Sequence, residues 1–526
     1  MATASWLGSW RAVGTGRWQP VADEADPRSF DLVIVGGGSG GYVAAIRAAQ
    51  LGLHTVLVEK ERPGGVCLNW GCIPTKAMLR SAEVFESMQR SADYGVLADN
   101  VRLDYAAVLQ RKDRIVRTLI EGVAALLRRN SVTVISGHAR FVDATTVEVV
   151  DVGDSPLGPG GPLYNAPPAP GGEPLATVTG RDLIIATGST PASLAIPGSG
   201  LAGVVSSDGA FRLESAPRRA VIIGGSAVGA EFASLFSAFG AEVTVVELLE
   251  TLVPAEDSDI GAVLARSFRQ RGITVLTSST VTRIESVNGT GKAPLRAVIT
   301  GRGGEPSTAV DADVVLIAVG RRPNLAGLDL ERVGVVTDQR GFISVDEQMR
   351  TSVAHVYAVG DVTGHALLAH VASHQGLVAA AVIAGDRTAR MDYKAVPAAT
   401  FTHPEIASVG LTERAARSAG HDVVAARFPF AALGRAQTFG ASEGMVKIVA
   451  DRRYGELLGV HIIGPNASDL IAEGVLALNL EATLTDLADS IHAHPTLAEG
   501  TMEASMVALG LPLHMARPAT ASAPPA

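Results

Sequence analysis

The feature that most constrains this chain is a unit it carries twice. From Phe30, FDLVIVGGGSGGYVAAIRAAQLGLHTVLVEK reads as strand, glycine turn, apolar helix and second strand. From Ala220, about 190 residues later, AVIIGGSAVGAEFASLFSAFGAEVTVVELL repeats the reading. Each copy predicts a Rossmann-like α/β layer, and 526 residues allow two to four domains around large cores.

In the first copy Gly36, Gly38 and Gly41 make G-x-G-x-x-G between a strand and a helix. The first glycine turns the chain, the second lets backbone approach a pyrophosphate, and the third packs helix on strand. The helix start offers free N–H groups and partial positive charge to phosphates. Glu59 ends the next strand, where it can accept from a ribose hydroxyl. In the second copy Gly224 and Gly229 hold the outer positions, but Ser226 replaces the middle glycine. A Cβ there predicts a looser approach or a slightly shifted turn. Glu247 closes the following strand, and its charge would repel a 2′-phosphate, favouring NAD over NADP. The alternative is a Rossmann unit that binds nothing.

The rest of the chain divides by texture. Residues 1–29, with three of the four tryptophans and no periodicity, read as an extension. Residues 30–188 form a first domain that includes an exposed Gly/Pro-rich loop at 152–175, and 189–319 form a second. A central segment spans 320–390, alternating strands and helices fill 391–512, and 513–526 read as a disordered tail. Strand-like runs end at Thr187–Gly188, at Gly320 and at Asp361.

A net charge of −9 and the lack of a concentrated basic face argue against nucleic acid. The basic stretch 111–117 reads as the solvated side of a helix. The apolar run 377–384 is far short of the ~20 residues of a membrane span. The N-terminus lacks the charged start and apolar stretch of a secretory signal, so the expectation is a cytoplasmic enzyme.

Only two cysteines occur, Cys67 and Cys72, with four residues between them. In a reducing compartment a close pair means metal, catalysis or chance. Metal is disfavoured, because no second pair completes a tetrahedral site. On an ideal helix residues five apart lie roughly 8–9 Å between Cα atoms, whereas a disulfide needs under ~7 Å. Gly71 can break the helix between them, and Pro74 suits the first turn of a helix starting near Cys72. That puts Cys72 at a helix N-terminus, where a thiolate is favoured, and Cys67 on the looser, more accessible side. An oxidised pair closing so small a loop is expected to be readily reducible.

GGVCLNWGCIPTK resembles the redox-disulfide motif of the flavoprotein disulfide reductases, and the likeness extends over about residues 30–511. The resemblance implies an α/β fold with two Rossmann-like dinucleotide-binding domains, for FAD and NAD, and a C-terminal α+β dimerisation domain. It implies that Cys72 faces the flavin as a thiolate and that Cys67 exchanges with substrate. Lys76 matches the family lysine near the flavin, and Glu231 matches its partner. HVYAVGD resembles the second flavin motif, with Asp361 near the ribitol, and Ala369 and His370 match a segment whose backbone approaches the flavin ring.

Near the end, SIHAHPTLAEG offers a base of suitable pKa in His494 and an orienting acid in Glu499. HAHPTLAE resembles the C-terminal motif of the family's dihydrolipoamide-oxidising members, with His492 structural. It implies a homodimer in which the base crosses from the other subunit. The implied partners are dihydrolipoamide or the lipoyl domains of 2-oxo acid dehydrogenase or glycine-cleavage complexes, since no lipoyl segment is present. No cysteine follows Cys72, unlike a mercuric reductase, and Glu247 disfavours an NADP-linked glutathione reductase. The alternatives are a reductase for another small disulfide, a transhydrogenase or quinone reductase working without the thiols, and a structural subunit docked in a larger complex.

Overall fold

In a computed structural model the described residues are 11–13, 17–19, 28–151, 174–289, 294–302 and 308–516. The first glycine unit builds a seven-stranded sheet. The consecutive apolar residues of Arg28–Val35 and Thr55–Glu59 form its buried parallel centre, beside Thr133–Ser136 and Pro174–Ile185. Continuous apolar runs of this kind suit strands covered on both faces. Pro174–Ile185 is long enough for two partners on the side away from Arg28–Val35. Its first half pairs antiparallel with Thr146–Val150, and Leu183–Ile185 pairs parallel with Val356–Ala358. The central segment thus returns to the first domain, and its helix Ala369–Ile383 lies on the glycine-turn helix Ser39–Gln50. A Cβ on Gly376 would stand 2.5 Å from the Gly40 carbonyl oxygen, so this crossing tolerates no side chain.

The second unit builds a five-stranded parallel sheet in the order Val204–Ser206, Val314–Ile317, Arg219–Ile223, Glu242–Val246, Thr274–Leu276. Helix Ala227–Ala238 is buried along most of its length, Phe232 and Phe236 filling the space against Ile222 and Val245. The chain then forms a five-stranded antiparallel sheet, from Ala398–Thr400 to Leu457–Gly464, backed by Ala467–Asn479 and Glu499–Ala508. The α/β architecture with its C-terminal α+β domain is the one expected.

Some local expectations change. The strand that opens the first glycine unit begins at Arg28, two residues ahead of the expected start. Of the Gly/Pro-rich loop 152–175, residues 152–173 lie outside the described residues, while Pro174 already pairs with Val150 as strand. The basic stretch 111–117 lies on the helix Tyr105–Arg129, but not all of it is solvated. Lys112 is buried beside Asp113, and Arg111 donates to the Ala77 carbonyl at 2.8 Å. The expected tail starts with contacts: His514 Nδ1 meets Glu503 Oε1 at 2.6 Å, and Met515 packs on the C-terminal core. Residues 517–526 lie outside the described residues. Among the described residues no helix is long and apolar enough to cross a membrane.

Candidate active site

Cys67 stands in the short helix Gly65–Trp70, and Cys72 is the first residue of Cys72–Gln89. Gly71 separates them with φ −128° and ψ −109°, outside the helical region. A Cβ at Gly71 would press to 2.9 Å on the Val66 carbonyl oxygen. The break brings the two thiols into hydrogen-bonding contact, which an unbroken helix forbids. Both are free thiols, the reduced form of the pair. Pro74 falls in the first helical turn, where its missing N–H leaves no gap. Cys67 is the less exposed of the two, against expectation; its short helix follows the N-cap Gly64, which lies in the left-handed region (φ 100°).

The pair is electrostatically unequal. The hydrogen bond from Cys67, reinforced by the Lys76 ammonium, pulls Cys72 down to about 7 against the opposing effects of burial and Glu231. The same hydrogen bond, with burial, pushes Cys67 well above the ordinary thiol range. One proton shared by two sulfurs therefore rests on Cys67, and Cys72 at the helix start carries the charge. Lys76 is placed by Glu231, whose two oxygens lie 2.7 and 2.9 Å from its Nζ.

Both cysteines open on a cavity of about 280 Å³ that runs from the first glycine turn past Thr187, Gly188 and Asp361 to Ala369. Gly36 has φ +103°, and a Cβ on Gly41 would fall 1.8 Å from the Gly36 carbonyl oxygen, so turn and helix meet backbone to backbone. Glu59 accepts from the Gly37 and Glu61 N–H groups at 2.5 and 2.8 Å, and burial raises its pKa. The Thr187 hydroxyl lines the cavity, buried, with no hydrogen-bond partner among the described residues. Asp361, raised by burial, accepts from Ser189 Oγ at 2.5 Å, and Arg321 Nε donates to that Oγ at 2.6 Å. Ser189 and Arg321 carry no motif spacing and were not anticipated. Ala369 begins its helix on the cavity, whereas the His370 side chain turns to the Pro397 carbonyl at 2.8 Å.

The second turn repeats the first. Gly224 has φ +103°, a Cβ on Gly229 would fall 1.8 Å from the Gly224 carbonyl oxygen, and Glu247 accepts from Gly225 N–H at 2.6 Å. Ser226 takes φ −77° and ψ −174°, close to the −68° and −176° of Gly38, so its side chain leaves the turn unshifted. Gly320 closes the strand opposite, with open space around it. His494 Nδ1 lies 2.8 Å from Glu499 Oε1, and Glu499 Oε2 accepts from Thr496 N–H at 2.8 Å. His494 is 77% exposed and is absent from the lining of this chain's own cavity. His492 is tied instead to Glu473 at 2.8 Å.

Residues 30–376 match the pyridine nucleotide-disulphide oxidoreductases, and 396–505 match the dimerisation domain of the same proteins. This chain belongs to the pyridine nucleotide-disulphide oxidoreductase family. Similar relatives include the dihydrolipoyl dehydrogenase of Geobacillus stearothermophilus, 41% identical over 92% of this chain and 97% of the relative. That of Bacillus subtilis is 41% identical over 92% and 99%, and that of Chlamydia muridarum 40% over 93% and 98%. Among solved structures, the copper(II) complex of a hypochlorite-induced flavoprotein disulfide reductase from Escherichia coli is similar, with TM-score 0.78 and 26% identity, covering 91% of this chain and 99% of that one.

As a member of this family the chain is a flavoprotein oxidoreductase with FAD and NAD as cofactors, and its dimerisation domain makes the assembly a homodimer. The residues present suit both groups. Both turns exclude a Cβ where turn meets helix, at Gly41 and Gly229, and an unpartnered hydroxyl faces the first. After Glu247, Leu248 and Leu249 stand exposed where a 2′-phosphate would ask for cations.

Proposed function

We propose that this enzyme oxidises dihydrolipoyl groups to lipoyl groups with NAD⁺ as final acceptor. The observation that carries the reading is the unequal cysteine pair on the cavity, Cys72 low and Cys67 high. Dihydrolipoyl dehydrogenases at about 40% identity over nearly the whole chain support the choice of substrate. The cofactor contacts are Gly36, Gly38, Gly41, Glu59, Lys76, Thr187, Gly188, Asp361, Ala369 and His370 for FAD. Those for NAD are Gly224, Gly229, Glu231, Glu247 and Gly320.

The partner subunit's His494 takes a proton from one dihydrolipoyl thiol, and Glu499 steadies the imidazolium that forms. The thiolate attacks Cys67 of the disulfide, Cys72 leaves as a thiolate, and the second substrate thiol displaces Cys67. The products are a lipoyl disulfide and the dithiol enzyme, with two electrons and two protons balanced. Gly36, Gly38, Thr187 and Asp361 would hold FAD, which when bound would supply two-electron chemistry between the dithiol and NAD⁺, the net products being the lipoyl disulfide, NADH and a proton. Lys76 and Glu231 fix the charge beside Cys72. The partners are lipoyl domains of 2-oxo acid dehydrogenase or glycine-cleavage complexes, and a reducing cytosol suits the thiol pair.

Steady-state rates with dihydrolipoamide, glutathione and a mycothiol-type substrate, each with NAD⁺ or NADP⁺, test the reading. The expected result is highest kcat/KM for dihydrolipoamide with NAD⁺. A higher value for another thiol, or for NADP⁺, overturns it.

A further inference from the structure

We propose that Phe401 is a positioning residue of the redox centre, through which the C-terminal domain holds the Lys76 ammonium in place beside the cysteine pair. The Phe401 ring centroid lies 4.5 Å from Lys76 Nζ. The Phe401 backbone N–H donates to Glu231 Oε1 at 2.9 Å, the same carboxylate oxygen that takes Lys76 at 2.7 Å. Two residues on, the His403 N–H donates to Ser234 Oγ at 3.2 Å, one turn along the Glu231 helix. The chain leaving the strand Ala398–Thr400 is therefore stitched along this helix, and Ala399 reaches the cavity wall. Three bodies meet at one ammonium: the cysteine helix through Lys76, the NAD-domain helix through Glu231, and the C-terminal domain through Phe401.

The aromatic ring has a chemical reason to be there. Lysine carries a point charge on a flexible stem, so its field acts at a defined place only when the ammonium is held. A second carboxylate could hold it, but would also cancel the positive field that favours the Cys72 thiolate. Glu231 already opposes that thiolate. An aromatic face attracts the cation while adding no net charge. Phe401 thus fixes Lys76 without adding a second opposing charge.

This rests on the cysteine pair being the redox centre, but its test consumes no dihydrolipoamide, so its failure reads separately from failure of the proposed reaction. The FAD-loaded dimer is reduced with dithiothreitol, and the Cys72 thiolate is followed against pH by its ultraviolet absorbance and its perturbation of the flavin spectrum. Wild type is compared with Phe401→Leu, Phe401→Met and Phe401→Tyr. The methionine variant refills the ring volume without an aromatic face, and the tyrosine variant keeps the face. The leucine and methionine variants are expected to titrate ~0.5 pH unit higher, a ~3-fold loss of thiolate on the scale of one cation–π contact. The tyrosine variant is expected to follow wild type. Leucine and methionine variants titrating with wild type, or a tyrosine variant displaced as far as leucine, would overturn the proposal.

Discussion

The two dinucleotide units share a skeleton and differ in their surroundings. Gly36 and Gly224 share φ +103°, Gly41 and Gly229 both forbid a Cβ at 1.8 Å, and Glu59 and Glu247 accept from equivalent backbone N–H groups. Yet the first turn sits under other parts of the chain. Gly65 packs on Gly38, and the helix Ala369–Ile383 crosses Gly40. The second turn opens outward, with free space at Gly320 and Val319 41% exposed. Local spacing writes the turn, but distant segments decide whether a bound dinucleotide is enclosed or free to exchange. That difference suits a resident flavin in the first unit and a diffusing nicotinamide in the second.

The sharpest way to break the comparison is to place the same clash in each turn. Gly41→Ala should empty the enzyme of flavin, read by absorbance and fluorescence. Gly229→Ala should keep flavin and raise the KM for NAD⁺ at least ~10-fold. Equal loss of flavin in both variants would end the distinction. Lys447 is next in size. Its side chain is 1% exposed and contacts Asp257, Asp259 and Glu413 at 2.8, 2.5 and 2.9 Å, joining the second unit to the C-terminal domain. Lys447→Met leaves Asp257 buried with only backbone N–H donors, while Asp259 and Glu413 keep Arg427 and Arg417, and should cost about 3 kcal/mol by thermal or urea unfolding. Smaller is the pH effect on the cysteine pair. With Cys72 near 7, the thiolate is present above that pH and lost as pH falls through it. Stopped-flow reduction of NAD⁺ by the dithiol enzyme should therefore slow on an acid limb near pH 7. The smallest effect belongs to Ser226→Gly, which should change the KM for NAD⁺ less than ~2-fold, because the turn is already in place.

Much of the site was legible because its parts are local. The glycine spacings, the helix start at Cys72 and the five-residue step from His494 to Glu499 each encode geometry within a few turns of chain. Lys76 with Glu231 spans 155 residues and became readable only through the family resemblance. Phe401 stands one residue before THPEIASVG and was passed over, since a lone aromatic carries no periodic signal. Arg321 with Ser189, and Lys447 among three acids, are tertiary contacts between ordinary residue types, invisible before the chain folds. The misreadings share that cause. A Cβ at Ser226 suggested a shifted turn, but the extended backbone there accommodates it. Composition marked residues after 512 as a tail, yet the buried Glu503 ties down His514 and raises its pKa.

The central claim is that electrons from dihydrolipoamide reach NAD⁺ only through Cys67 and Cys72. Anaerobic NADH formation from dihydrolipoamide and NAD⁺, measured in wild type, Cys67→Ser and Cys72→Ser at matched flavin content, tests it most directly. The account predicts steady NADH formation in wild type and none above background in either variant, with FAD still bound. NADH formation at the wild-type rate in either serine variant would contradict it.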